Sequence, residues 1–456
     1  MSLRGLVALV LLLAAAVGAL MYLDRKGTPH EAASPEAPLL PAFTEESLRE
    51  IELSCQDGNV TVRREAPAGW MLAEPFAAEA DPRRVHELIA ALEDARIRKV
   101  IAEGKAPLAS FGLEPAACTV HLAFTAKAEG LTLRLGRASP VGTERYAAGD
   151  DGRVVFADGS LYAVVSRGAG ALRERRLFPL DAESVTRIEL DRPDGRVVLA
   201  RRDGSWRIEA PFSDAASSSA CASLARAVTS FAVTEPAAGA APSYVRPERR
   251  IRIAITAQGA AAPAVASVAA AGIEGKRLGW REGGRLTGLV DEASAVALTK
   301  PPDSFRESRI ASFASPDVRS VSIVRGATHL VVSRSGEAKP WSGVDGSTAV
   351  PVDGARVDGL LDRLRGLDAS GFLAAPPASA TTGTIAVAGE KGELLRLTYG
   401  PLPGTAGSEG PSSWVTTPAR PGVVFNVSTA SLGRVPASAA DLAPVASPKT
   451  AGSGGS

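Results

Sequence analysis

Apolar and polar residues alternate with period two at three distant places along the chain. Ile51 and Leu53, Ile188 and Leu190, and Val321 and Ile323 each stand among polar neighbours. That period puts the apolar pair on one face of a half-buried strand. Asp57-Gly58 and Asp194-Gly195 then supply a tight turn into Val60-Thr61-Val62 and Val197-Val198-Leu199, so each place predicts a hairpin. A third strand follows in Trp70, Leu72 and Pro75, and again in Trp206, Ile208 and Pro211. Proline cannot donate to a ladder and ends the strand. The third copy keeps Trp341 but has no such proline, which leaves its third strand without a signal.

The period then changes to that of a helix. Asp81-Pro82 is an N-cap followed by proline at the first helical position, and Val85, Leu88, Ile89 and Leu92 recur at helical spacing. Asp353 starts the same stripe in Val357, Leu360, Leu361 and Leu364. Between them Leu224, Val228 and Phe231, after Ser217 or Ser218, predict a looser helix. Strand patterns return at Val120 to Phe124, Leu131 to Leu135 and Val154 to Phe156, at Ile251 to Ile255, and at Thr384 to Val387, Leu394 to Leu397 and Val423 to Val427. The stretches Glu235 to Pro242, Gly259 to Ala271 and Pro401 to Ser413, rich in Ala, Gly and Pro, read as surface loops.

These elements recur with a fixed period. Phe43, Phe178 and Phe313 lie 135 residues apart, and Trp70, Trp206 and Trp341 lie 136 and 135 apart. The fold class is therefore α+β: an N-terminal transmembrane helix followed by three tandem repeats, each a hairpin or meander, one amphipathic helix and further strands. The boundaries are residues 1–26 for the anchor or signal, 27–42 for a Pro-rich spacer, 43–177, 178–312 and 313–446 for the repeats, and 447–456 for a disordered tail.

The anchor rests on Leu6 to Leu23, 18 uncharged residues. As a helix they span roughly 27 Å against a hydrocarbon core of about 30 Å. Arg4 and the α-amine on the near flank outweigh Asp24-Arg25-Lys26, which predicts the N-terminus inside and the bulk of the chain extracytoplasmic. The alternative is a cleaved signal, with Val17 and Ala19 before Leu20.

Composition changes the picture mainly by exclusion. With 51 Lys and Arg against 50 Asp and Glu, no global field steers the chain to nucleic acid. Three cysteines and four histidines, widely spread, argue against a metal cluster. Gly104-Lys105 and Gly275-Lys276 are followed by Ala106 and Arg277 where a phosphate loop needs Ser or Thr. Gly168-Ala169-Gly170 lacks the third glycine of a dinucleotide fingerprint. No catalytic residue, cofactor or metal ligand is assigned, and the chain is read as a non-enzyme. Asn59 and Asn426 stand in sequons on predicted strands and read as accidental, and His86 and His121 read as structural. Cys55 and Cys118 share a repeat and read as two buried thiols, with pairing left open.

Asp203-Gly204-Ser205-Trp206-Arg207-Ile208 with Pro211, Trp70 to Pro75, Leu133-Arg134-Leu135-Gly136 and Leu172 to Leu177 together resemble the bacterial family of the domain of unknown function 4340. The resemblance implies a single-span envelope protein found with a gliding-motility-type ABC transporter, whose permease, ATPase and auxiliary subunit would be the partners. It carries over no catalytic residue. One candidate contact remains: Arg173, Glu174 and Arg176 in the first closing segment, and Arg306, Glu307 and Arg309 in the second. Placed where one repeat ends and the next begins, they either bond neighbouring modules or offer guanidinium groups to a partner. The functional expectation is a non-catalytic, membrane-anchored extracytoplasmic scaffold, accessory to an ABC-type export or gliding-motility-like complex in the cytoplasmic membrane. The alternative is a cell-wall or polysaccharide-binding envelope protein.

Overall fold

A computed structural model describes residues 37–444 apart from 67–68, 105–106, 127–128, 237–245, 273, 285, 380, 404–410, 433–434 and 437. The predicted anchor, most of the spacer and the tail lie outside the described residues. Among the described residues no helix is long and apolar enough to cross a membrane.

The period of 135 becomes three antiparallel sheets, each of nine strands among the described residues. The first holds β1 (Leu48–Cys55), β2 (Gly58–Glu65), β3 (Gly69–Glu74), β4 (Ala78–Glu79), β5 (Ile97–Ala102), β6 (Cys118–Phe124), β7 (Leu131–Ala138), β8 (Arg145–Ala148) and β9 (Val154–Ala157). Their order is β4-β3-β2-β1-β6-β7-β8-β9-β5. A meander thus runs outward from β1 on one side, a second meander runs outward from β6 on the other, and β5 closes the far edge.

The second sheet repeats that order with β10 (Val185–Arg192), β11 (Gly195–Arg202), β12 (Ser205–Ala210), β13 (Asp214–Ala215), β14 (Glu235–Pro236), β15 (Arg250–Ala257), β16 (Ala264–Ala269), β17 (Lys276–Arg281) and β18 (Thr287–Asp291). The third does so with β19 (Val318–Arg325), β20 (Thr328–Ser333), β21 (Ser342–Asp345), β22 (Thr348–Val350), β23 (Gly371–Leu373), β24 (Gly383–Gly389), β25 (Gly392–Pro401), β26 (Ser412–Thr416) and β27 (Val424–Ser428).

Register carries the likeness down to single residues. Ile51 faces Val62 and Leu122, Ile188 faces Leu199 and Ile255, and Val321 faces Val332 and Val387. All nine are buried. A twelve-residue helix lies over this apolar side each time: α1 (Pro82–Glu93), α2 (Ser218–Thr229) and α3 (Gly354–Arg365). Asp81, Ser217 and Asp353 cap them through their side chains. The buried stripes of α1 and α3 match the periodicity. In α2 the stripe begins with Cys221, and Phe231 is buried just beyond the helix end.

Three expectations change. Two predicted loops hold strands: Glu235 and Pro236 form β14 at the start of one, and β16 occupies the middle of Gly259 to Ala271, with Ala266 and Val268 buried and its alternation hidden by the Ala and Gly content. The third repeat does have a third strand, β21, and Trp341 stands just before it. Strands dominate each repeat more than the α+β reading implied. The described residues divide into two compact units, those up to residue 175 with the first sheet and those from residue 176 with the second and third.

Candidate functional site

The closing segments return to the start of each helix. The backbone N–H of each capping residue reaches a carbonyl of the segment: Asp81 to Leu172 at 2.7 Å, Ser217 to Phe305 at 2.8 Å, Asp353 to Leu442 at 2.7 Å. In the first repeat Arg173 bridges Ala80 on the backbone, and its guanidinium lies 5.1 Å over the Phe76 ring. Burial lowers its affinity for the proton. Glu174 is buried, and its carboxylate accepts the N–H of Arg175 at 2.9 Å. Arg176 begins the second unit, where its carbonyl accepts from Arg281 at 2.6 Å.

In the second repeat the same segment is tied more strongly. Arg306 lies 3.9 Å over Phe212 and 4.6 Å over Phe372, a strand β23 residue of the third repeat. Its Nε is 3.2 Å from the Oδ2 of Asp214, an ion pair without hydrogen-bond alignment. Arg420, from the turn between β26 and β27, forks onto the same carboxylate at 2.9 and 2.7 Å. A third bond runs from Arg420 to the Glu307 carbonyl at 2.7 Å. The Asp214 side chain is 2% exposed and both arginines 12%. The cluster thus joins the second and third repeats through one buried carboxylate. Downstream, Ile310 donates to the Leu367 carbonyl, and the exposed Arg309 sits 3.9 Å from Asp368. Asp214 and Arg420 escaped the sequence reading because they are 206 residues apart and neither belongs to a local motif.

The repeated tryptophans stand in a second shared corner. In the first repeat, Trp70 donates its indole N–H to Glu45 Oε1 at 3.1 Å, while Glu45 Oε2 pairs with His86 Nδ1 at 3.0 Å. Burial opposes the Glu45 charge, but the bonds from His86 and Trp70 outweigh it and hold the carboxyl below its ordinary value. The bond to Glu45 raises His86 above 6.5. In the third repeat Trp341 donates instead to Asp358 Oδ1, from the helix, at 3.3 Å. Pro75 and Pro211 directly follow β3 and β12.

Cys55 and Cys118 stand opposite each other on β1 and β6 and form a disulfide, against the reading as separate thiols. Local spacing did not reveal it because strand order brings β1 beside β6 across 63 residues. Asn59 and Asn426 lie on strands β2 and β27, and His121 on β6 is 3.4 Å from the Thr132 hydroxyl.

A family model now adds its frame: it matches residues 70–246 and is described as a domain of unknown function, DUF4340. Residues 70–246 thus resemble the DUF4340 family. The DUF4340 match begins at Trp70 and takes in Pro75, α1, the first closing segment, Trp206, Pro211 and α2. It therefore starts inside one sheet and stops inside the next, a frame offset from the structural repeat. No curated protein and no solved structure matches the chain.

Proposed function

We propose that the chain is a non-catalytic, membrane-anchored extracytoplasmic scaffold, acting as an accessory subunit of an ABC-type export or gliding-motility-like complex. The observation that carries this reading is the helix-free face of the third sheet. On the second sheet that face is a ladder of ion pairs: Arg187 with Glu189 and Glu209, Arg196 with Glu189 and Asp191, Arg252 with Asp191 and Glu282. On the third, the row across the strands reads Ala349, Val344, Val331, Ser322 and Ala386. Val331 and Val344 face each other, each 40% exposed. The row ends at Arg396 on β25, and its uncharged stretch over the other strands suits an apolar protein surface, while the Asp214 cluster holds that sheet to the second repeat. The disulfide accords with an oxidising compartment, and the apolar Leu6 to Leu23 run with a membrane anchor.

Affinity purification of the tagged full chain from mild-detergent membranes, followed by mass spectrometry, tests the reading. A permease and an ATPase should co-elute, and be lost when the anchor is deleted or when Val331 and Val344 are both changed to Lys. Recovery of the protein alone, with its extracytoplasmic region retained on isolated cell wall, would overturn it in favour of wall binding.

A further inference from the structure

The Trp206 corner of the second repeat differs from its two sisters. Register makes Ala182 the counterpart of Glu45, and helix position makes Ala222 the counterpart of His86 and Asp358. Both groups that serve the indole in the sister repeats are thus cut back to methyls. Trp206 is 8% exposed as a residue, yet its Nε1 is not sealed in the core, and no protein acceptor serves it among the described residues. An indole N–H that reaches solvent can take its acceptor from water or from a ligand. At this corner an open pocket of about 610 Å³ has Ala182, Ala222 and Trp206 in its lining, the two alanines widening it on one side. That volume lies in the range of small-molecule sites.

The lining has a consistent chemistry. Val185 and Ala225 are buried and give an apolar floor. Arg201 occupies the place of Arg64 and Arg334, which stack at 5.8 and 4.6 Å over their own tryptophans. Arg64 is drawn toward the Glu45 carbonyl at 3.2 Å, whereas the Arg201 Nε bonds the Gly204 carbonyl of its own turn. Arg226 brings a second guanidinium from α2, and Asp181 and Glu183 place carboxylates on the same exposed rim.

We propose that this cavity binds a small molecule through a single carboxylate, which accepts from Trp206 Nε1 as Glu45 and Asp358 do in the sister corners. Arg201 and Arg226 supply the countercharge. The rim carboxylates disfavour a dianion and suit a neutral or cationic body beyond the carboxylate.

The test uses the full chain in detergent micelles with fluorotryptophan in place of tryptophan, read by fluorine NMR and assigned through Trp206→Phe. Butyrate and γ-aminobutyrate should move the Trp206 signal saturably and leave those of Trp70 and Trp341 in place. Succinate should bind at least about tenfold more weakly, and inorganic phosphate not at all. Ala222→Asp, or Ala182→Glu if the first variant fails to fold, restores an internal acceptor and should abolish the response. A Trp206 signal unmoved by both monocarboxylates overturns the proposal. So does an equal response to phosphate, or a response that survives in the folded self-filled variant.

Discussion

The first and second repeats share a strand order, a register and a helix position, yet they differ at equivalent sites in a way that shows what the frame requires. Where the first repeat has Ala78 beside Leu72, the second has Asp214 beside Ile208, and both are buried. Where the first has Cys55 bonded to Cys118, the second has Arg192, whose buried side chain donates to the carbonyls of Leu298 and Lys300. Glu45 and His86 give way to Ala182 and Ala222, and Val85 to Cys221. The apolar columns of the sheets stay intact throughout. The frame therefore tolerates charge, a covalent bond or empty space at its corners, provided the inward-facing columns remain apolar.

The sharpest way to break this comparison is to import the first repeat's residue into the second. Asp214→Ala leaves Arg306 and Arg420 buried without their carboxylate, a loss of about 3–5 kcal/mol in general experience. Denaturant unfolding should show that drop, and the third repeat should unfold separately from the second. A change below about 1 kcal/mol would mean that water replaces the carboxylate. Arg173 shows the alternative already realised: with Ala78 in the place of Asp214, its guanidinium lies over Phe76 and its Nε has no hydrogen-bond partner among the described residues.

Next in size is the covalent link. Cys55 and Cys118 enclose a long loop, so replacing both with Ser should cost about 2–4 kcal/mol, chiefly by freeing the unfolded chain. The midpoint of unfolding should fall by the same amount when the wild type is reduced, and reductant should leave the double variant unchanged. Insensitivity of the wild type to reductant would remove the disulfide from the account.

How much of this was legible follows from the range of each interaction. Asp57-Gly58, Asp81-Pro82 and the stripe from Val85 to Leu92 announced a hairpin, a cap and a helix because each signal acts within a few residues. The fixed spacing of Trp70, Trp206 and Trp341 announced the tandem repeat. Strand order was not legible, since β6 pairs with β1 across a helix and an edge strand, and the disulfide was hidden with it. The strand β16 escaped because its alanines flatten the alternation that marks a strand, and β17 and β18 because each is short and broken by a glycine. Asp214 and Ala182 were within reach: each is a residue out of keeping with its counterparts once the repeats are aligned.

Glu45→Ala tests the corner from the first repeat's side. Removing the acceptor for Trp70 should cost about 1 kcal/mol. The same change governs a pH effect. Because Glu45 raises His86 above 6.5, the pair adds stability below pH 6.5 while Glu45 stays ionised, and loses it as pH rises through the folded His86 value or falls through the lowered Glu45 value. NMR titration should therefore find His86 above 6.5 in the wild type and back at about 6.5 in Glu45→Ala. A His86 midpoint that ignores the substitution would sever the pair.

The smallest effect should come from Cys221→Val, which gives α2 the residue that α1 and α3 carry at Val85 and Val357. All three positions are fully buried, and the swap exchanges two small apolar side chains of similar volume. Stability should change by less than about 1 kcal/mol, whereas Cys221→Ser, which buries a hydroxyl, should cost about 1–3 kcal/mol. Burial also pushes the Cys221 thiol up to about 12, so at neutral pH it stays protonated. Thiol reagents should leave it untouched in the folded protein and label it once denaturant unfolds the second repeat. Rapid labelling of the native protein at pH 8, or a large loss on changing to Val, would show that this helix packs differently from its two counterparts.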